Sequence, residues 1–201
     1  MGEHRAVTHL VRRFENRAGL AGAVGQRLGE SRWHEVTQAQ VDQFAEATGD
    51  DQWIHVDARR AAQGPFGGTI AHGYLVLALV PRLLSEVFEV CGLALMINAG
   101  VDTVRFLRPV PVGGQVRLVA DLVSIVDRVR GAVEASIDVN IEMRDRPGPV
   151  CRARACFILY PARPVRARRP VAATPPVAAT RAPERRASDH DPESPGIAVG
   201  G

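Results

Sequence analysis

The stretch His72-Gly73-Tyr74-Leu75-Val76-Leu77-Ala78-Leu79-Val80-Pro81-Arg82-Leu83-Leu84-Ser85-Glu86-Val87-Phe88-Glu89-Val90 decides the fold. From Tyr74 to Val90 it reads as a helix that is apolar on nearly every face, opened by His72-Gly73. A helix with no polar face must be wrapped by other structure. Pro81 lies inside it and should kink it or end a first segment, because proline supplies no N–H to the helix ladder. Immediately after Gly92 the apolar period changes from helical to two. Val101, Thr103 and Arg105 alternate with Asp102, Val104 and Phe106. Val116, Leu118, Ala120 and Leu122 alternate with Arg117, Val119, Asp121 and Val123. The run Val133, Ala135, Ile137, Val139, Ile141, Met143 faces one way, and Glu134, Ser136, Asp138, Asn140, Glu142 the other. The turn Arg146-Pro147-Gly148-Pro149 leads to a last strand, Val150 to Tyr160. Consecutive strands joined by short turns pair antiparallel. One apolar helix and one half-apolar sheet satisfy each other, so the expected class is α+β, with an antiparallel sheet wrapped around a long central helix.

Upstream, Thr37-Gln38-Ala39-Gln40 is a capping box, and Val41, Phe44, Ala45 and Thr48 follow at helical spacing up to Gly49, the expected left-handed terminator. Asp57 can cap a short helix through Ala61-Ala62. At the two ends the signals fade. Residues 1–24 read as an N-terminal extension, partly helical or loose, and 25–160 as the folded domain. Residues 161–201 hold eight of the 14 prolines and no apolar period, so they read as a disordered tail.

The whole chain is 201 residues, enough for a sizeable core without staples. All 25 basic residues are arginine, which excludes Schiff-base lysine chemistry and a P-loop lysine. After Tyr160 there are seven arginines against four acids, which accounts for the entire formal charge of +3. The basic balance therefore belongs to the tail and is poor grounds for a nucleic-acid surface on the body. Three cysteines without CxxC spacing fit a reducing compartment. The most apolar stretch, Ile70 to Leu84, is shorter than the roughly 20 residues of a membrane span. Nothing at the N-terminus has a secretory pattern, so a cytoplasmic protein with no membrane and no nucleic-acid partner is expected.

Three segments could carry chemistry. In Gly49-Asp50-Asp51-Gln52-Trp53-Ile54-His55 a carboxylate and an imidazole sit five residues apart in a connection between helices. Asp50 and His55 can both reach one small molecule, most simply a water. The same residues can equally be turn formers and a packed histidine. In Ile70-Ala71-His72-Gly73 a glycine at a helix start allows close approach to the Gly73 N–H, which suits an oxygen gaining negative charge. The plainer alternative is that Gly73 permits tight packing and His72 is a satisfied buried residue. The third segment is Phe106-Leu107-Arg108-Pro109-Val110, where Arg105 or Arg108 could meet phosphate or simply be solvated. The remaining histidines have no metal spacing, and no metal site is expected.

In this order and spacing, the three segments resemble the MaoC-like family of (R)-specific enoyl-CoA hydratases, whose fold is the hotdog. The family pattern is Gly-Asp-x-Asn-Pro-x-His, then Ile/Val-x-His-Gly, then Phe-x-x-Pro-Val before a glycine turn. The similarity covers about residues 25–160 and departs at Gln52-Trp53, which stands where Asn-Pro is common. The resemblance implies reversible addition of water to a trans-2-enoyl thioester, with Asp50 and His55 as the catalytic pair. It implies Gly73 as the backbone donor to the thioester carbonyl, and His72, Gln52 and Leu84 beside the substrate, Leu84 as a wall of the acyl pocket. It implies no cofactor beyond the acyl-CoA or acyl-carrier-protein thioester substrate, and a homodimer whose sheets join edge to edge. A hotdog thioesterase, which typically places a carboxylate on the central helix, is the nearest rival; Tyr74–Leu84 contains no acid. A non-catalytic acyl-binding partner subunit of a dehydratase is the other, and such subunits tend to lose the Asp/His pair.

Overall fold

Thr37 accepts from the Gln40 N–H while the Gln40 side chain accepts from the Thr37 N–H, and Gly49 ends the helix at φ 76°. That reciprocal cap and the left-handed terminator fix helix α2, Gln38–Thr48, as its sequence predicts. In the computed structural model, which describes residues 10–162, the order is β1 (Arg12–Phe14), α1 (Arg17–Ala21), β2 (Arg27–Glu30), β3 (His34–Glu35), α2, α3 (Trp53–Val56), α4 (Ala58–Ala61), α5 (Gly73–Ala78), α6 (Val80–Leu84), β4 (Phe88–Val90), β5 (Leu93–Phe106), β6 (Gln115–Asp127), β7 (Val133–Met143) and β8 (Pro149–Pro161).

The main sheet has the order β2-β6-β7-β8-β5, with β3 also on β6, and all its pairs are antiparallel. Burial along β7 alternates without a break, as its two-residue period requires. Its inner face, with Leu118, Leu122, Phe157 and Leu159, closes on Leu75, Val76, Val80, Leu83 and Leu84 of the helices in one core.

The central helix departs from expectation in two ways. It is two short helices, interrupted at Leu79 and finished at Leu84, not one helix to Val90. Pro81 occupies the first turn of α6, where its missing N–H costs nothing. Phe88–Val90 leave the helix because β1 offers them a parallel partner, and β-branched and aromatic residues favour strand once a partner exists. Nor is the helix wrapped all round: Tyr74, Ala78, Pro81 and Arg82 are exposed along one stripe.

Within the stretch read as an N-terminal extension, residues 12–24 are built into the domain. Arg12–Phe14 pair with β4, and Leu20 on α1 is fully buried. The proline- and arginine-rich tail lies outside the described residues from 163 onward.

Candidate active site

Past Gly49 the chain turns through exposed Asp50 and Asp51 into the one-turn helix α3, which buries His55. The Gln52 carbonyl accepts from the His55 N–H at 2.9 Å, and the Gln52 side chain, exposed, caps nothing. The Trp53 ring abuts Gly64, where a Cβ would lie 2.9 Å from it, and the Arg60 guanidinium stands 4.5 Å above it. Trp53 thus braces α3 from behind, in place of the proline common at this position.

His55 Nδ1 lies 2.7 Å from the Ile70 carbonyl. A carbonyl only accepts, so Nδ1 carries the hydrogen and Nε2 is left as the reactive nitrogen. Gln38 secures both ends of this arrangement. Its Nε2 donates to the His55 carbonyl at 2.8 Å, and its Oε1 accepts from the Thr69 hydroxyl at 2.6 Å, one residue before Ile70. The Ile70 N–H in turn donates to Ile54 O at 3.0 Å.

His72 is 2% exposed and its ring stacks on His55, centroids 3.8 Å apart and planes at 27°. By the same logic its Nε2 donates to the Asp50 carbonyl, at 2.8 Å, which leaves Nδ1 buried without a partner. It therefore ties the second segment to both Asp50 and His55 of the first. Asp50, His55 and His72 each present an atom within 4.8 Å of the others. Two imidazoles and a carboxylate are also metal ligands, but one nitrogen of each ring is already committed to a backbone carbonyl. Proton handling suits the cluster better.

A cavity of about 300 Å³ is lined by His55, Gly73, Val76, Phe106, Arg108 and Cys151 among others. Gly73 fits there because it lacks a side chain: a Cβ would lie 3.0 Å from the Phe106 ring. The Gly73 N–H belongs to the first turn of α5, where helix geometry provides no intrahelical acceptor. Burial pushes the Cys151 thiol up to about 11, which removes it as a nucleophile at neutral pH. The third segment reaches the second through the backbone: Ala71 N–H donates to Val110 O at 2.8 Å and Val112 N–H to Thr69 O at 2.9 Å. All three sequence segments are thus one hydrogen-bonded array.

Leu84 does not belong to it. The side chain is fully buried in the core and outside this cavity's lining, and Val76 is the helix residue that faces the space. Gln38 and Thr69 carry no signal of this role in the sequence. The only trace of Gln38's role was its place just after the capping residue, which also explains it as an ordinary helix start. α5 and α6 carry no acid; the nearest, Glu86, is held by His34 at 3.0 Å and by Arg32.

The pattern "MaoC like domain" matches residues 20–142. Over 143 residues the chain is 49% identical to 3-hydroxyacyl-thioester dehydratase Z of Mycobacterium tuberculosis, spanning 71% of this chain and 95% of that protein. It is 33% identical over 110 residues to 3-hydroxybutyryl-CoA dehydratase of Methylorubrum extorquens, 54% of this chain and 68% of that one. Among solved structures, the (R)-hydratase from A. caviae involved in PHA biosynthesis superposes with a TM-score of 0.54 at 25% identity, covering 67% of this chain and 94% of that chain. The fold is the hotdog, and the chain belongs to the MaoC-like dehydratase domain family.

Proposed function

We propose that the protein is a hydro-lyase that adds water reversibly to trans-2-enoyl thioesters, giving (R)-3-hydroxyacyl thioesters, and runs equally as the dehydratase. The observation that carries this reading is the locked His55 ring. With Nδ1–H committed to Ile70 O, Nε2 is the nitrogen left for chemistry, His55 lines the cavity that also holds Gly73, and an atom of Asp50 stands within 4.8 Å of one of its nitrogens. A water gripped by the Asp50 carboxylate and His55 Nε2 loses one proton to the pair as its oxygen bonds to C3. Electron density moves through C2 toward the thioester oxygen, where the Gly73 N–H receives it. A proton returned to C2 completes the addition. The sum is redox-neutral and calls for no metal and no redox cofactor. His72 and Gln52 act through position, the former by tying Asp50 to His55 and the latter through its carbonyl.

The absence of any acid on α5 and α6 weighs against the thioesterase alternative, and retention of Asp50 and His55 weighs against a non-catalytic partner subunit. A homodimer is part of the proposal. Strand β5 is an edge of 14 residues, nearly all exposed, with Leu95, Ile97, Val101 and Phe106 uncovered and Tyr74 of the exposed helix stripe packed on Phe106. An open apolar edge of that length is a pairing surface. Three unpaired cysteines favour the cytoplasm as its location; among the described residues no helix is long and apolar enough to cross a membrane.

The test follows the loss of enoyl absorbance with crotonyl-CoA and the chirality of the product. Asp50→Asn and His55→Asn should remain folded and lose about three orders of magnitude or more in turnover, because the pair acts as a unit. Near-normal turnover in either variant, an (S) product, or release of free thiol without hydration would each refute the reading.

A further inference from the structure

The active-site cavity has an open end and a closed one. Leu107, Arg108 and Pro109 are exposed, whereas Val76, Val110, Val150 and Cys151 are each no more than 4% exposed. Any thioester carrier exceeds a space of about 300 Å³ and stays at the open end. An acyl chain with its carbonyl at Gly73 and its C3 at His55 therefore points toward the closed end. Helix α5 packs on β8, with Val76 of the helix and Cys151 of the strand both lining the cavity. Further along the helices, Val80, Leu83 and Leu84 are buried in the core and take no part in the lining. No side chain at the closed end has a strong polar group; the Cys151 thiol is at most a weak donor. A hydroxyl or carboxylate at the far end of a substrate would be desolvated there with nothing to pair it. Length is bounded as well. Taking about 30 Å³ for each small group, a water's share of liquid volume, about 300 Å³ holds about ten heavy atoms. The sulfur, C1 and its oxygen, C2, C3 and the attacking water use about six of them, which leaves about four carbons beyond C3.

Resting on the hydratase reading, we propose that Val76 and Cys151 form the stop for the acyl chain, so that the substrates are straight-chain enoyl thioesters of about four to six carbons with no polar group at the far end. Leu84 has no part in length selection.

The experiment compares kcat/KM for trans-2-enoyl-CoA thioesters of four, six, eight and ten carbons, and for fumaryl-CoA, a four-carbon substrate that ends in a carboxylate. In the wild type the value should fall about tenfold or more between six and eight carbons, because each methylene too many is worth at least that factor in a closed pocket. Fumaryl-CoA should react at least about a hundredfold more slowly than crotonyl-CoA. Val76→Ala should raise the eight-to-four-carbon ratio about tenfold, and the smaller change Cys151→Ala severalfold. Leu84→Ala should leave that ratio where it was. Each ratio is taken within one protein, so loss of folded material cancels, and Cys151→Ala carries the test if Val76→Ala does not fold. A flat wild-type profile out to ten carbons, an unchanged ratio in Cys151→Ala and in any folded Val76→Ala, or a shift in Leu84→Ala overturns the stop. Fumaryl-CoA hydrated as fast as crotonyl-CoA overturns the apolar requirement. If the wild-type chain hydrates no thioester at all, the hydratase reading fails. Calorimetric binding of the saturated butyryl-, hexanoyl- and octanoyl-CoA then still decides the stop: affinity should rise from four to six carbons and drop at eight, and a continued rise overturns it.

Discussion

Gly73→Ala separates the two reasons a glycine can occupy the start of α5. A Cβ there would lie 3.0 Å from Phe106 Cγ and 3.1 Å from both Cδ atoms, against the roughly 3.5–4.0 Å at which carbons rest. Three overlaps of about half an ångström correspond to about 1–3 kcal/mol of overpacking. The lower end applies, because Phe106 is 44% exposed and its ring can swing outward. For a domain of this size that is a fall in Tm of only a few degrees, at about 2–4 °C per kcal/mol. The consequence for activity is larger. The methyl would stand on the approach to the residue 73 N–H, and losing one such donor to a developing oxyanion costs about 10²–10³ in kcat. Thermal unfolding and enoyl-CoA turnover, the latter measured well below the transition, read the two effects independently. Gly73→Ala/Phe106→Leu should then restore Tm without restoring turnover. If Gly73→Ala keeps wild-type kcat per folded molecule, or if the second substitution recovers activity along with stability, the glycine serves packing alone and the carbonyl is polarised elsewhere.

Three other outcomes are expected. Gln38→Ala strips partners from the His55 carbonyl and the Thr69 hydroxyl, so unfolding free energy should fall by about 1–3 kcal/mol. Displacement of the His55 ring should lower kcat by tenfold or more with KM little changed, as small misplacements of a positioned group do; equal kcat would show that Ile70 O alone holds the ring. With a thiol reagent at pH 8, half-exposed Cys91 should react and Cys151 should not, since a thiol at about 11 is only about one part in a thousand thiolate there. Its rate should climb about tenfold per pH unit toward 11, whereas fast labelling of Cys151 at pH 8 would mean the cavity floor is open. Light scattering should give a dimer mass at micromolar protein, and Ile97→Lys on β5 should shift it toward monomer, because a charge on an apolar edge opposes pairing; a monomeric wild type refutes the edge-to-edge joint.

Much of the fold was legible because β7, at the centre of the sheet, obeys its period without exception. β7 alternates buried and half-buried from Val133 to Met143, and it pairs with β6 and β8 along its whole length with a single register shift on each side. The capping box at Thr37 and the left-handed Gly49 were equally local signals. What failed was the extent of the central helix. Whether Phe88–Val90 continue a helix or enter a sheet depends on Arg12–Phe14, some 75 residues away, and no window around Val90 contains that partner. The exposed stripe along Tyr74, Ala78 and Pro81 escaped for the same reason. Apolar composition says that a face is to be covered and is silent on whether the cover is this sheet or a second copy of the chain.

The site was legible to the extent that its chemistry is carried by side chains at short separations. Asp50 and His55 are five residues apart, and His72-Gly73 announce a helix start; each alone had an ordinary structural explanation. Their convergence is a property of the backbone. Ile54 O to Ile70 N–H, Ala71 N–H to Val110 O and Val112 N–H to Thr69 O sew three distant segments together, and carbonyls have no signature in a sequence. The group that selects the His55 tautomer is the carbonyl of Ile70, a residue whose side chain is irrelevant to the task. Substituting Ile70 should therefore leave the imidazole's orientation intact so long as its isolated bridge to Pro111 stays in place, whereas Gln38, on helix α2, should not tolerate loss of its amide. A catalytic residue chosen by its side chain and held by main-chain groups is visible at once; the residue that holds those main-chain groups in register emerges only when the hydrogen bonds are traced.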